Sequence, residues 1–181
     1  INLFADEGYF ETVLTGIHIG QWGNDLNPQL KLQNLLEEIE KTNIKRYRLG
    51  SLNPTELTND FIDFLSKSKK FCPHFHLSLQ SVCNKTLKAM NRHYNVEEIK
   101  KLVNYINLKF DKAFIGSDII VGFPNENTDD FKITLNNLKE LELTRIHVFP
   151  YSRRKGTIAD KMDNQVETTE KKRRVKLVQE I

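Results

Sequence analysis

Residues 113–123 read AFIGSDIIVGF, and the fold turns on them. β-Branched and aromatic residues follow one another almost without a break, which is the pattern of a parallel strand covered on both faces. The exception is Asp118, a carboxylate at mid-strand, where burial without a partner is costly and rarely seen. Strand parity puts Asp118 on one face with Gly116, Ile120 and Gly122. Helical stretches flank the run. Upstream, Asn95 caps VEEIKKLVNYINLKF, with Glu98 three positions on. Downstream, Asn127 or Thr128 caps DDFKITLNNLKELE.

The same alternation extends over the whole chain. Strands are expected at YFETVLTGIHI (9–19), RYRLGSL (46–52), HFHLSLQS (74–81) and RIHVFPYS (145–152). Between them, residues 30–42 place Leu32, Leu35, Leu36 and Ile39 on one helical face, and residues 56–69 do so with Phe61, Ile62, Phe64 and Leu65. A loop at 20–28, GQWGNDLNP, a short helix at 84–92 and a closing helix at 167–181 complete the pattern. INLFADEG has the form of a helix ending at Gly8. Strand and helix repeated five times imply parallel βαβ units. Eight barrel strands are not available, so the expectation is α/β: a partial, open (β/α) barrel in one domain over residues 1–181.

The totals exclude little. The 181 residues carry 27 Lys and Arg against 24 Asp and Glu, a formal charge of +3 that permits an acidic partner without demanding one. The apolar runs are far too short to span a bilayer, and there is no secretory signal pattern. Two cysteines are too few for a disulfide scaffold, which points to a reducing cytoplasm.

Parity then selects candidate site residues. In 74–81, Phe75, Leu77 and Leu79 share the face expected to meet helices, whereas His74, His76, Ser78 and Gln80 share the other. Gln80 and Ser81 fall at the carboxyl end, where such folds bind ligands. The 145–152 strand offers His147, Phe149 and Tyr151, and the 9–19 strand offers Thr12, Leu14, Gly16 and His18. A lumen holding His18, His76, Gln80, Asp118 and His147 suits a ligand cavity better than a stability core. Cys72, His74 and His76 alternate as a zinc site would, but no second pair completes the ligand set, so the expected metal assignment is none. Two basic clusters remain: Arg153-Arg154-Lys155, at the mouth of the supposed cavity and a candidate RNA contact, and Lys171-Lys172-Arg173-Arg174, on a helix.

Six stretches occurring in order carry a resemblance: VLTGIHIGQWG, RYRLGSLNP, CPHFHLSLQS, TLKAMNRHYN, DIIVGFPNE and HVFPYSRRKGTIADKM. Together they resemble the radical S-adenosylmethionine (SAM) methylthiotransferases. CPHFHLSLQS makes the chain most similar to the branch that acts on N6-threonylcarbamoyladenosine in tRNA. The resemblance implies a partial barrel, SAM as cofactor, and 4Fe-4S clusters. One cluster sits on a three-cysteine loop that this sequence, with only Cys72 and Cys83, does not contain. It also implies a tRNA anticodon stem-loop as substrate, a 2-methylthio product, an electron donor, and amino- and carboxyl-terminal domains beyond these residues. The chain is therefore expected to start after the cluster loop, to be inactive alone, and to expose a strand edge that permits edge-paired or swapped dimers.

By resemblance, Thr15, Gly16 and His18 receive the methionyl amino group, and Gln80 and Ser81 face the nucleoside. Arg92 holds the SAM carboxylate, Asp118 holds the ribose hydroxyls, and Phe149 and Tyr151 stack on a base. The sequence departs from the family at three points. Val82 and Asn125 stand where relatives carry Gly, and Trp22 stands where many carry Tyr. Alternative functions are a methylthiotransferase for isopentenyladenosine tRNA or a ribosomal protein, a non-catalytic RNA-binding barrel, and a zinc hydrolase built on Cys72, His74 and His76.

Overall fold

The computed structural model describes residues 1–26 and 30–181; Asn27 and Pro28, at the end of the expected 20–28 loop, lie outside them. The chain folds as two compact units, one of residues 1–77 and 104–115, the other of residues 78–103 and 116–181.

The first unit opens with α1 (Asn2–Asp6), which ends as expected at Gly8 with φ +86° and the Gly8 N–H on the Ala5 carbonyl at 3.1 Å. β1 is only Glu11–Leu14, shorter than the expected 9–19 strand, and pairs in parallel with β2 (Arg46–Leu49). The expected 46–52 strand is broken at Gly50, whose N–H reaches the Leu14 carbonyl at 2.7 Å. Beyond it β3 (Ser51–Leu52) changes partner and lies parallel to β4 (His74–Gln80). α2 (Leu32–Glu40) buries Leu32, Leu36 and Ile39, with Leu35 at the margin. α3 (Asn59–Lys67) buries Phe61, Ile62 and Leu65, and the Thr58 hydroxyl accepts from the Phe61 N–H at 3.2 Å to cap it. Tyr47 is fully buried between these layers. Desolvation pushes its hydroxyl up to about 12, although it lies 3.2 Å from the Ser68 hydroxyl.

β4 and its neighbour β5 (Phe114–Val121) begin in the first unit and end in the second. In the second unit β5 lies between β4 and β6 (Arg145–Pro150), and β5 and β6 are parallel. α4 (Asn84–Ala89), the start of α5 (Val96–Lys109), α6 (Thr128–Glu140) and α7 (Thr168–Gln179) accompany them. Asn127, not Thr128, caps α6: its side chain accepts from the Asp129 and Asp130 N–H groups at 2.9 and 2.8 Å. Asp130 returns a bond to the Asn127 N–H at 3.0 Å. The strand pairing is open, β1 and β6 each being paired on one side only among the described residues. No described helix is long and apolar enough to cross a membrane.

β4 follows the expected parity: Phe75, Leu77 and Leu79 are fully buried, and His74, His76, Ser78 and Gln80 are partly open. β5 corrects the expectation of two covered faces. Ile115, Ser117, Ile119 and Val121 are buried, but Asp118 and Ile120 on the opposite face are only half-buried. The uninterrupted apolar run therefore hides one packed face and one that borders open space. Asp118 meets solvent-accessible volume, which removes most of the burial cost that its position in the sequence suggested.

Packing of this kind makes the two faces of β4 unequal in energy. Phe75→Ala is expected to destabilise the fold by about 3–5 kcal/mol, and Ser78→Ala by less than about 1 kcal/mol, measured by urea unfolding. Similar costs at both positions would contradict the face assignment.

Candidate functional site

The carboxyl ends of β4, β5 and β6 surround a cavity of about 490 Å3 in the second unit. That volume falls within the roughly 300–1,000 Å3 usual for small-molecule sites. Its wall includes Gln80, Asp118, Ile120, Phe149, Tyr151 and Arg154. The β5–β6 register explains part of this grouping. Asp118 lies opposite His147 and Ile120 opposite Phe149, so one pleat face presents acid, imidazole, aliphatic and aromatic groups together. A surface hollow of about 600 Å3 between α2 and α3 in the first unit is larger. It is ringed by Glu37, Glu40, Lys41 and Lys67 and has no strand end in its wall, so it lacks the convergent groups of a built site.

Backbone geometry at the end of β4 aims Gln80. Its φ is +62°, the left-handed region that a non-glycine residue enters at a cost. The Tyr94 hydroxyl, buried at the strand end, lies 3.0 Å from both the Ser78 and the Leu79 carbonyls and holds the chain there. Desolvation raises the Tyr94 hydroxyl above its ordinary value. The left-handed residue in this turn is thus Gln80 and not Val82, which is fully buried and accepts the Asn137 side-chain N–H at 2.8 Å. Asn125 does take the left-handed conformation, with φ +65°.

The other sequence candidates divide. Ser81 is buried and its hydroxyl accepts from the Cys83 N–H at 3.2 Å, so it shapes the turn and does not line the cavity. Arg92 is half-buried, and its Nε is enclosed with no hydrogen-bond partner among the described residues. Arg153 is committed to Asp160, with Nε at 2.5 Å from the carboxylate and Nη2 at 2.7 Å from the carbonyl. The bond from Arg153 holds the Asp160 carboxyl below its usual range. Arg154 is the member of the basic triplet on the cavity wall, and Lys155 is exposed. Tyr151 lines the cavity, and its buried hydroxyl oxygen has no hydrogen-bond partner among the described residues.

Thr15, Gly16 and His18 belong to the first unit, past the end of β1 and not on the strand as expected. A Cβ on Gly16 would lie 3.6 Å from the Ile19 Cβ, an ordinary contact within the chain. His18 is exposed, and its Nδ1 is 3.2 Å from the Glu56 carboxylate. His74, of the alternating Cys-His-His set, stacks on Phe114 with ring centroids 4.6 Å apart. Burial is the larger cause, and the Arg48 charge the next, of its lowered basicity. No three His, Cys, Asp or Glu side chains among the described residues gather as metal ligands.

One pair escaped the sequence reading. Arg174, assigned there to a surface basic cluster, is 3% exposed, and Glu126 is 4% exposed. Arg174 Nη1 lies 2.5 Å from Glu126 Oε1 and 3.0 Å from the Glu126 carbonyl, and its Nε is 2.9 Å from Glu170 Oε1. Burial pushes the Glu126 carboxyl up, against the Gly122 N–H and Arg174, which hold it down. The available signal was helical spacing: Glu170, Arg174 and Val178 recur every four residues, and Val178 is apolar.

Known proteins similar to this chain fall in one superfamily. A family model described as the radical SAM superfamily matches residues 5–138. The threonylcarbamoyladenosine tRNA methylthiotransferase MtaB of Bacillus subtilis is 38% identical over 94% of the chain. A tRNA-2-methylthio-N(6)-dimethylallyladenosine synthase of Clostridium tetani is 39% identical over 100% of it. The chain spans only 38% and 40% of the lengths of these relatives. Among solved structures, archaeal Methanocaldococcus infernus Elp3 superposes with a TM-score of 0.65 at 15% identity, covering 94% of this chain and 45% of that one. The radical SAM methyltransferase TsrM of Kitasatospora setae does so at 0.66 and 16%, covering 84% and 30%; these likenesses concern the fold.

The α7 ion pairs carry a pH signature. Hydrogen bonds from Arg173 and Arg174 hold Glu170 at about 2, below its ordinary 4.5. Its folded value is the lower one, so its contribution to stability is complete above the unfolded value and is lost as pH falls toward 2. The melting temperature is therefore expected to drop through this window, and the drop should be shallower in Glu170→Gln. Identical slopes in the two proteins would remove Glu170 from the acid response.

Proposed function

The chain belongs to the radical SAM superfamily, and on that premise we propose that it is the SAM-binding part of a tRNA methylthiotransferase. The observation that carries this reading is the cavity at the strand ends, where Asp118, two aromatic residues and an unpartnered buried Tyr151 hydroxyl converge. Those groups fit a nucleoside-bearing cofactor. The Asp118 carboxylate accepts bonds from vicinal ribose hydroxyls, Phe149 and Tyr151 offer faces to adenine, and the Tyr151 hydroxyl takes a polar edge. Gln80, held in place by its left-handed turn, supplies an amide for the second ligand, the target nucleoside. Arg154 supplies a charge for the phosphate backbone. The enclosed Arg92 Nε has hydrogen-bonding capacity to spare for a carboxylate. When bound, SAM supplies radical chemistry to enzymes of this superfamily.

An iron–sulfur cluster does not fit the residues present. The sequence has two cysteines, and a three-thiolate cluster would take its ligands from outside these 181 residues. What these residues do is bind and orient: the aromatic and aliphatic groups of the wall offer apolar faces to a base, and Asp118 and Gln80 fix the approach.

Within the methylthiotransferases, identity to relatives of 38% and 39% does not separate the threonylcarbamoyladenosine and dimethylallyladenosine branches. The stretch CPHFHLSLQS favours the former, with an adenosine beside the anticodon as target, an external electron donor and a cytoplasmic setting. The one-sided pairing of β1 supports edge-to-edge association of this stretch when it is isolated.

Mass spectrometry of tRNA nucleosides from a strain lacking the gene tests the assignment. The 2-methylthio group of threonylcarbamoyladenosine is expected to disappear. The full-length gene should restore it, and the same gene carrying Asp118→Ala should not. Loss confined to dimethylallyladenosine would move the protein to the other branch, and no loss from either would reject the function. Light scattering of the isolated stretch is expected to show dimers; monomer alone at high concentration would reject edge pairing.

A further inference from the structure

Glu126 and Arg174 are buried charges, and an unpaired charge at either position would be strongly unfavourable. Their partners show what the pair holds. Glu126 Oε1 accepts from the Gly122 N–H at 3.0 Å, closing the turn 122–126 that leaves β5. Arg174 adds its bonds to the side chain and the carbonyl of the same Glu126, and its guanidinium lies 5.0 Å from the Phe131 ring centroid on α6. Gly122 has φ +73°, and a Cβ there would come within 2.4 Å of the Lys171 Cγ, so α7 lies directly against the turn. Asn125 and Asn164 add a second clasp, with a side-chain bond of 2.8 Å and a backbone bond of 3.1 Å.

The turn and α7 meet again at the cavity wall. The Lys171 ammonium lies 5.1 Å from the Tyr151 ring centroid, within cation–π range. Phe123, in the turn, packs edge-on against the same ring at 5.1 Å. The Tyr151 N–H is fixed on the Val121 carbonyl at 2.8 Å. The Tyr151 ring is therefore set by one residue of the turn and one of α7, and Arg174–Glu126 locks those two elements together.

We propose that α7, through the Arg174–Glu126 pair and Lys171, is a positioning element of the ligand cavity that sets the Tyr151 ring on its wall. The helix lies outside the 5–138 stretch that the family model covers, as does Tyr151 itself. A purely structural ion pair would affect unfolding alone. A positioning pair changes the ring environment, and on the reading of the cavity as a SAM site it also changes affinity.

Fluorine NMR of the chain labelled with 3-fluorotyrosine separates the two roles, Tyr151→Phe identifying its resonance among the five tyrosines. Lys171→Gln and Arg174→Lys are expected to shift and broaden the Tyr151 signal. They should also weaken binding of S-adenosylhomocysteine in titration calorimetry by roughly 10-fold, the equivalent of about 1.4 kcal/mol. Lys171 stands on the partly open side of the helix, so its variant decides the matter if Arg174→Lys does not fold. An unmoved Tyr151 signal in the folded variants overturns the proposal. If the unaltered chain does not bind S-adenosylhomocysteine, the cofactor reading fails, and the fluorine signal still decides whether α7 positions the ring.

Discussion

A strand has two faces, and in this protein they have opposite tasks. On β4 the buried face holds Phe75, Leu77 and Leu79, while the face between them carries His74, His76, Ser78 and Gln80. On β5 the buried Ile115, Ser117, Ile119 and Val121 alternate with Asp118 and Ile120. Apolar burial on one face makes the strand immobile, and an immobile strand is what allows polar groups on the other to be held at fixed positions. The cavity wall is the reverse side of the packed layer, so its geometry rests on core packing.

Strand ends extend this logic. A polar side chain at the carboxyl end of a strand acts only if the turn that follows aims it, and turns have little packing of their own. Here the turns are held by polar bonds. The Tyr94 hydroxyl holds the end of β4, where Gln80 adopts φ +62°, and Glu126 closes the turn after β5. Both devices use buried polar groups that are costly unless satisfied, and both are satisfied by residues distant in sequence. Arg174 is 48 positions from Glu126, a separation that only the completed fold closes.

Much of this was legible in the residues. The helical stripes led by Leu36, Ile62 and Leu65 and the alternation of β4 follow from local rules of period, whereas the cap of α6 was narrowed only to Asn127 or Thr128 until the fold decided for Asn127. Parity and strand-end position also marked Gln80, Asp118, Phe149 and Tyr151 as polar-face candidates, alongside His18, His76 and His147, which are not in the cavity wall. The misreadings have definite causes. The 9–19 run lacks partners beyond Leu14, so its apolar residues do not extend the strand, and Ile17 ends up almost fully exposed. Arg174 looked like part of a solvated charge run because its neighbours are charged, whereas the helix turns it inward beside Val178.

The sequence by itself determined the alternation of elements, the inward faces of α2, α3 and β4, and the residue types at the strand ends, because periodicity and turn chemistry are local properties of the chain. Its ordered motifs also determined the superfamily. Tertiary structure alone decided which of those residues share a cavity, that Arg153 is spent on Asp160 while Arg154 reaches the wall, and that Arg174 is a buried partner of Glu126. Charge and exposure belong to surroundings, and surroundings are set by contacts between distant segments that no local pattern records.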